Sequence, residues 1–500
     1  MCMRSALLRL STVVVIIALA GWFLFPDTLI VRNTDTDEGV YLIVARLLHR
    51  GYDTRTFFFD QFWFFPSLLT TAFKLFGDSL IVGRLIVFAL AMAGVVAVAA
   101  LSYQLGANWS AMLASLLICA LSPLYTRQAR MVMADVPATT FMVWALVFVF
   151  LFQKNRRRFW LALGGVCASA SLMLKPFTFG FLLTIIIVLL AERTRRENGR
   201  FRLDPAIFSD LLVFVTFGAL TAAPFIDFLR PIDEYRRTVG FHLAERNWLI
   251  KRVDDRWRGL LGFVRLNLPI VVFAITGIVA LRPLSISFRA LLAGELVTIA
   301  ILLWMPPWLH HYTLILPPLI IFALVGFDRG FAQFKAWIAE WRRTAPTRSS
   351  NKVAAILFAC ALVISLIDLP WVFRFERRIR WPRLVHFEPA VAYVKQNFQR
   401  DEYLLSDDAL VLYLSDRLMP PAAINFMYGD VLKFDPMSFS RFEQVVRDNH
   451  VAGIITTTRY PRNQRLMSWI EQNFPRSTEF GTHDPDDLTA RIYSADKQRR

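Results

Sequence analysis

Long apolar runs alternate with short polar segments over the first three quarters of the chain. The first run, Leu7–Phe25, is long enough to cross most of the roughly 30 Å hydrocarbon core of a membrane as a helix. A segment in lipid must satisfy its own backbone hydrogen bonds, and a helix does so. Further runs predict helices of the same kind at Leu80–Tyr103, Ala111–Pro123, Pro137–Phe152, Phe159–Leu174, Phe177–Leu190, Phe208–Phe228, Leu260–Leu281, Ala290–Trp304, Tyr312–Val325 and Val353–Phe373. With the first run, the pattern predicts about eleven membrane spans.

The charges around these runs predict which side of the membrane each loop faces. Arg4 and Arg9 precede the first run, which is longer than the roughly 7–15 apolar residues of a signal peptide and lacks a convincing small-residue cleavage site. We therefore expect an uncleaved span that starts in the cytoplasm. Counting spans from it places the basic segments inside, as the positive-inside rule requires, namely 154–158, 193–202 and 329–352. The basic loop 230–258 falls outside and argues against this orientation.

The composition changes after Phe373, where short apolar runs, charges and turn formers replace the long runs. We predict a transmembrane domain over residues 1–375 and a small extracytoplasmic α/β domain over residues 376–500. In the second domain the pattern predicts helices at Glu388–Phe398 and Phe442–Asn449 and strands at Tyr403–Leu405 and within Val451–Thr458. Because this part shows no glycine-rich phosphate loop, we expect it to act as a lid or an acceptor-docking surface.

The composition agrees with a polytopic α-helical membrane protein. Hydrophobic residues make up 56% of the 500 residues, with 44 Phe and 14 Trp. A net charge of +17 would suggest nucleic-acid binding in a soluble chain, but much of it lies in loops between apolar runs, where it sets topology and meets anionic lipid. No nucleic-acid recognition motif accompanies it, so we expect no nucleic-acid partner. The cysteines have neither a disulfide nor a metal-site spacing.

The same count of spans brings widely separated polar residues to one membrane face. They are Asp37, Glu38, Asp60, Arg127, Arg130, Asp135, Lys175, His310 and His311. Each has a plain structural explanation as well. Acidic residues suit the first turn of a helix, as at Asp37 and Glu38 or at Asp135 before Pro137. A lysine before Pro176 can extend from a helix end to the interface, and a His-His pair beside tryptophans is typical of interfaces. Their shared side of the membrane is what indicates a functional site.

Several of these residues lie in segments that resemble one family. Asp37-Glu38-Gly39-Val40-Tyr41, followed by Gly51-Tyr52 and Asp60, resembles the first outer loop of GT-C membrane glycosyltransferases. The protein O-mannosyltransferase-like group and the lipid A aminoarabinose transferases (glycosyltransferase families 39 and 83) are similar in this way. Further segments resemble the family's later acidic, lysine and basic-aromatic motifs, namely Ala134-Asp135-Val136-Pro137, Leu174-Lys175-Pro176 and His311-Tyr312 with Pro317-Pro318.

The resemblance implies transfer of a sugar from a polyprenyl-phosphate carrier to an acceptor on the outer face, with inversion at the anomeric carbon. The implied acceptor is an envelope glycan, a lipid or a protein, and the implied location is a bacterial inner membrane with the site facing the periplasm. Asp60-Gln61-Phe62-Trp63 departs from the Glu-Lys-Pro-Pro of the lipid A enzymes, so their aminoarabinose donor is not implied.

The residues suit that chemistry in named roles. Asp37 is the candidate general base that takes the acceptor's proton, with Glu38 and Asp135 completing the catalytic carboxylates. Cationic side chains can stabilise the departing lipid phosphate, and the candidates are Lys175, Arg127 and Arg130. Tyr41, Asp60, His310 and His311 are candidates for binding the acceptor or the sugar. A divalent cation that bridges carboxylates and phosphate remains open.

Two other functions fit the same pattern of charges. Charged groups at membrane spans also mark transport pathways, so a flippase or transporter of lipid-linked sugars is the main alternative. Transporters commonly show paired repeats and broken helices near the midplane, whereas no repeat is evident here. An inactive assembly or scaffold subunit would share the architecture and would tolerate the loss of Asp37.

Overall fold

A computed structural model describes most of the chain, and nearly all of its first three quarters is helical. The residues that it describes are 14–22, 25, 36–197, 200–227, 232, 238, 240, 253–281, 284–305, 308–341, 352–378, 384–427, 436–457, 460–480 and 490–495. The first predicted span, Leu7–Phe25, falls only partly within them, and residues 14–22 are helical. The basic loop 230–258 lies largely outside them.

The α-helices have clear bounds within these residues. They are α1 (Thr36–His49), α2 (Phe64–Phe76), α3 (Leu80–Gln104), α4 (Trp109–Leu121), α5 (Pro123–Ala129), α6 (Asp135–Asn155), α7 (Arg158–Leu174), α8 (Phe179–Arg193), α9 (Ala206–Ala222), α10 (Val253–Leu266), α11 (Leu268–Ala280), α12 (Ile286–Trp304), α13 (Leu316–Trp341), α14 (Lys352–Arg378), α15 (Leu384–Asn397), α16 (Ala409–Leu414), α17 (Pro436–Asp448) and α18 (Gln464–Asn473). Short 3₁₀ helices include Pro176–Thr178, Leu309–Ile315 and Pro421–Met427.

The membrane part has fewer complete spans than the pattern predicts. In the described part of the chain, six helices are long and apolar enough to cross a membrane, or up to eight if each bent pair is one span. Phe64–Phe76, Arg158–Leu174 and Lys352–Ile367 are shorter apolar helices. A polytopic helical membrane protein is therefore confirmed, and the number of about eleven spans stays a prediction.

One predicted span is wrong as a continuous helix. The run Leu260–Leu281 forms two helices, α10 and α11, bent by 91° at Asn267. Pro269 stands in the first turn of α11 and has no N–H to continue α10. The Asn267 side chain donates to the carbonyl of Phe263 at 3.1 Å and accepts from the Ser122 hydroxyl at 2.8 Å. A polar residue with partners at the break makes the bend possible inside an apolar environment.

Close helix packing in the membrane part depends on glycine. A Cβ built on Gly277 of α11 would lie 1.9 Å from the carbonyl oxygen of Phe322 in α13, and one on Gly165 of α7 would lie 2.1 Å from that of Phe214 in α9. Only glycine lets these backbones approach so closely. In lipid such contacts between small residues take the place of the hydrophobic effect as the force that joins helices.

A four-stranded mixed sheet lies in the last hundred residues. Its strands are β3 (Leu404–Ser406), β4 (Gly453–Thr456), β5 (Arg476–Phe480) and β6 (Ala490–Ser494), in the order β3-β4-β6-β5; a separate hairpin joins β1 (Thr194–Glu197) and β2 (Arg200–Leu203). Strand β3 pairs with β4 in parallel and the other pairs are antiparallel. The predicted strand near Tyr403–Leu405 and the predicted helix near Phe442–Asn449 correspond to β3 and α17. That this part is a separate extracytoplasmic domain stays a prediction.

This C-terminal part is packed firmly on α1. A Cβ on Gly39 would lie 2.2 Å from the backbone nitrogen of Leu410, so the start of α16 lies directly against the acidic first turn of α1. Farther along, Arg46 binds Asp78 at 2.5 Å and donates to the carbonyl of Tyr413 at 2.7 Å. The Tyr413 hydroxyl completes the group by donating to Asp78 at 2.6 Å. The C-terminal part thus contacts helix α1 both near its start, at Gly39, and near its end, at Arg46.

The contact at Gly39 predicts a selective loss of stability. We expect Gly39→Ala to lower the free energy of unfolding by about 1–3 kcal/mol, because the added methyl group must displace the backbone of α16. Thermal unfolding of the purified chain in detergent measures the effect. Gly21→Ala is the matched control, since its Cβ would meet only the Met92 side chain at 3.7 Å. Equal unfolding temperatures for the two variants would contradict the packing described.

Candidate functional site

The site is built on a buried ion pair near the start of α1. Glu38 is fully buried, and its carboxylate accepts from Arg84 Nε at 2.8 Å and from Arg84 Nη2 at 2.7 Å. The same carboxylate accepts from the backbone N–H of Val132 at 2.9 Å. Glu38 therefore joins α1 to α3 and to the loop that precedes α6. The sequence analysis missed Arg84, although a lone arginine inside an apolar run is a signal for a buried partner.

This loop delivers Asp135, which starts α6. Asp135 is fully buried, and Lys175 Nζ lies 3.6 Å from its Oδ2. Lys175 stands at the end of α7 in extended conformation, because the following Pro176 ends the helix. No hydrogen-bond donor among the described residues reaches either oxygen of Asp135. A buried carboxylate without hydrogen bonds is uncommon and indicates a place for a ligand.

Tyr41 connects the first acidic motif to Asp135. Its phenol is buried and donates to the side-chain oxygen of Gln61 at 2.6 Å. Burial raises the pKa of Tyr41 well above its usual value, and the negative charges of Asp135, Asp37 and Asp60 raise it further. Three acids separated by up to a hundred residues thus act on one hydroxyl. The structure thus brings Asp37, Asp60 and Asp135 close enough to Tyr41 for their charges to act on it, and their shared side of the membrane stays a prediction.

Asp60 is held by the C-terminal part. With its amide oriented to satisfy its neighbours, Asn425 donates to Asp60 Oδ1 at 3.2 Å and accepts from the Asp60 backbone N–H at 3.1 Å. The backbones also pair, since Phe58 N donates to the carbonyl of Pro421 and Asn425 N donates to that of Phe58, both at 3.0 Å. Nothing in the local sequence around Asn425 indicates this role.

His310 and His311 lie beside Asp135. One nitrogen from each imidazole and one Asp135 oxygen all lie within 4.8 Å of one another. The two rings are perpendicular with centroids 4.4 Å apart, and the His311 ring packs edge-on against Phe177 at 4.9 Å. Two imidazole nitrogens from one segment and a carboxylate oxygen from another could bind a transition-metal ion.

The remaining predicted cations lie at the end of α5. Arg127 and Arg130 are partly buried at the end of α5, which contacts α6 and the 3₁₀ helix Leu309–Ile315. Arg130 lies two residues before Val132, so the Glu38 hydrogen bond also positions it. Their role toward phosphate stays a prediction.

An apolar groove adjoins Lys175 between α6, α7 and α8. It is small, with room for about one water molecule, and is lined by Met142, Ala145, Ala168, Ser171, Leu172, Thr178, Phe181, Leu182 and Ile185. Ser171 and Thr178 flank Lys175 in the chain, and the other lining residues are apolar. The Lys175 side chain itself extends toward Asp135, with Nζ 3.6 Å from Oδ2.

Known proteins share a sequence family model and a fold with this chain. A model of the dolichyl-phosphate-mannose-protein mannosyltransferase family matches residues 63–218, which include Arg127, Arg130, Asp135 and Lys175. No curated protein sequence matches the chain. ArnT from Cupriavidus metallidurans bound to undecaprenyl phosphate is 14% identical with a TM-score of 0.59, covering 96% of this chain and 97% of that one.

A second solved structure shares the fold at a greater distance. The archaeal oligosaccharyltransferase AglB from Archaeoglobus fulgidus, in complex with an inhibitory peptide and a dolichol-phosphate, is 13% identical with a TM-score of 0.51. The match covers 98% of this chain and 74% of AglB. The predicted resemblance to GT-C membrane glycosyltransferases is confirmed, and identities this low show a common fold rather than a common substrate.

The buried ion pair predicts a strong asymmetry between single and double variants. We expect Glu38→Gln to cost about 3–5 kcal/mol, because it leaves the Arg84 charge buried without a counter-ion. The double variant Glu38→Met with Arg84→Met should be less destabilised than Glu38→Met or Arg84→Met alone. Unfolding of each variant in a titration with denaturing detergent measures these losses. Asp53→Asn, which breaks an exposed pair with Arg55, is the control. Additive effects of the two single changes would contradict the coupling.

Proposed function

We propose that this protein is an inverting glycosyltransferase that moves a sugar from a polyprenyl-phosphate donor to an envelope glycan, lipid or protein acceptor. One observation carries the proposal: the charge of Asp135, which pairs with Lys175, acts on Tyr41 together with the charges of Asp37 and Asp60, and the turn that follows Lys175 lines an apolar cavity. Such a site can hold a charged head group and a lipid tail together. The confirmed resemblance to GT-C glycosyltransferases supports it, and no finding favours the flippase alternative.

Asp37 is the general base in this proposal. Among the four acids of the site, Glu38 and Asp135 are fully buried and Asp60 is 3% exposed, whereas Asp37 is partly exposed. An acceptor arriving from the aqueous side can therefore reach the Asp37 carboxylate. The acceptor oxygen forms a bond to the anomeric carbon, the bond from that carbon to the phosphate oxygen breaks, and Asp37 takes the acceptor proton.

The other acids have supporting roles. Glu38 already accepts three hydrogen bonds from Arg84 and Val132, so we assign it to positioning α1 and the loop before Asp135. Asp60 is oriented by Asn425 and its charge acts on the Tyr41 hydroxyl, which supports a role in accepting a hydrogen bond from a sugar or acceptor hydroxyl. The Tyr41 hydroxyl donates its own proton to Gln61, so its oxygen is a second acceptor for that purpose.

The departing group is a polyprenyl phosphate with additional negative charge. Lys175 lies between Ser171 and Thr178 in the chain, both of which line the cavity, and this supports a role in stabilising the charge, with Arg127 and Arg130 as further contacts. In this proposal the tail opens the small cavity between α6, α7 and α8. From the count of spans, we propose that the site and the C-terminal part face the periplasm of a bacterial inner membrane.

Removal of the base tests the reaction. We expect Asp37→Asn to lower kcat about 10²–10⁴-fold, because the acceptor loses its proton acceptor while the shape of the site hardly changes. The measurement is transfer from a panel of radiolabelled polyprenyl-phosphate sugars in proteoliposomes. Asp53→Asn, an exposed acid in the same outer loop, is the matched control. Equal turnover by the native chain and Asp37→Asn would remove Asp37 from the chemistry, and carrier movement between leaflets without transfer would favour the flippase.

The groove can be tested through the length of the donor lipid. Ala168 lines the groove on α7 and is 6% exposed. We expect Ala168→Phe to lower kcat/KM for a long-chain polyprenyl donor by about tenfold or more, since the ring fills the space for the tail. A donor with the same sugar and a short prenyl chain should be used equally by both proteins. An equal loss with both donors would indicate a damaged fold rather than a blocked groove.

A further inference from the structure

We infer that Asp135, His310 and His311 form a binding site for one divalent transition-metal ion, with zinc as the best fit. The ion would lie within the site of the proposed glycosyl transfer, and its role there rests on that proposed function. Binding of the ion can be tested without any transfer reaction.

The distances between the potential ligands are close to those of a metal site. Zinc binds nitrogen and oxygen ligands at about 2.0–2.2 Å, which puts tetrahedral ligands roughly 3.3–3.5 Å apart. The potential ligand atoms of Asp135, His310 and His311 all lie within 4.8 Å of one another. A shift of about an ångström, within the reach of side-chain rotation, closes them on an ion. Three protein ligands leave a fourth position open, as in catalytic zinc sites.

Asp135 supplies an independent reason to expect a cation. Its side chain is fully buried at the start of α6, and both oxygens accept no hydrogen bond from the part of the chain that the structure describes. Lys175 Nζ at 3.6 Å is beyond hydrogen-bond distance from Oδ2. A buried carboxylate in this state is costly, and coordination to a cation is one of the few arrangements that stabilise it.

The packing around the histidines holds them near this carboxylate. The segment Leu309–Ile315 is a 3₁₀ helix, in which neighbouring side chains normally diverge, yet the two imidazoles are 4.4 Å apart. Phe177 contacts the His311 ring and belongs to the turn that follows Lys175. The rings are therefore positioned from both α6 and the Lys175 turn.

The ligand chemistry selects the class of ion. Magnesium, calcium and manganese prefer oxygen ligands, whereas imidazole nitrogen suits zinc, copper, iron and nickel. Two imidazoles with one carboxylate thus favour a transition metal. In the proposed reaction, a phosphate oxygen of the donor is the group available for the open position. The ion would then stabilise the leaving phosphate beside Lys175, with no change of oxidation state.

Metal binding to the purified full chain tests the inference directly. After removal of metal with a chelator, we expect Zn²⁺ titration by calorimetry and elemental analysis to show one tightly bound ion per chain. Co²⁺ loading should produce visible absorption of a coordinated ion that Zn²⁺ abolishes, a readout that needs no variant. Absence of a bound ion in the native chain overturns the inference.

Variants then assign the ligands. We expect His310→Ala, His311→Ala and Asp135→Asn each to weaken Zn²⁺ binding tenfold or more, and the conservative His310→Gln to do the same with the fold retained. His49→Ala, at an exposed histidine of α1, is the matched control and should bind like the native chain. If the His310 and His311 variants bind Zn²⁺ as tightly as the native chain, the assignment is wrong.

A last comparison separates the metal site from the transferase proposal. Asp37→Asn and Lys175→Met should lose sugar transfer and keep the ion, because neither residue is a proposed ligand. Zinc bound through His310 and His311 in a chain that transfers no sugar from any donor would overturn the proposed function alone. Transfer at the native rate by the metal-free chain, or by His310→Gln, would overturn the role given to the ion.

Discussion

The arrangement of this site depends on the ion pair between Glu38 and Arg84. Both side chains are almost fully buried, and the Glu38 carboxylate also holds the backbone of Val132. Such a pair contributes little net stability, because its attraction is offset by the loss of water around both charges. Its effect is geometric. It sets the distance between α1, which carries Asp37 and Tyr41, and the loop that leads to Asp135, so the two acidic motifs form one site.

The C-terminal part applies a second constraint from the outer side. Close packing at Gly39 and the Arg46–Asp78–Tyr413 group act on α1, and the bonds from Asn425 to Asp60 act on the segment between α1 and α2. A loosely attached lid would not make such contacts. The part after α14 therefore contributes to the shape of the site.

The charges of the site are connected through Asp135. The charges of Asp37, Asp60 and Asp135 all act on the Tyr41 hydroxyl. Asp135 also lies beside Lys175 and the His310–His311 pair. This carboxylate therefore links the acids on and after α1 to the basic side chains of the site.

The sequence by itself determined the helical membrane fold and the strand and helix near Tyr403 and Phe442. These features follow from local patterns, because every segment in lipid must close its own backbone hydrogen bonds. Only the tertiary structure decided the bend at Asn267, the partner of Glu38, the role of Asn425 and the approach of Asp135 to His310 and His311. Each of these depends on side chains from segments far apart in the chain, and hydropathy and spacing carry no information about such pairs.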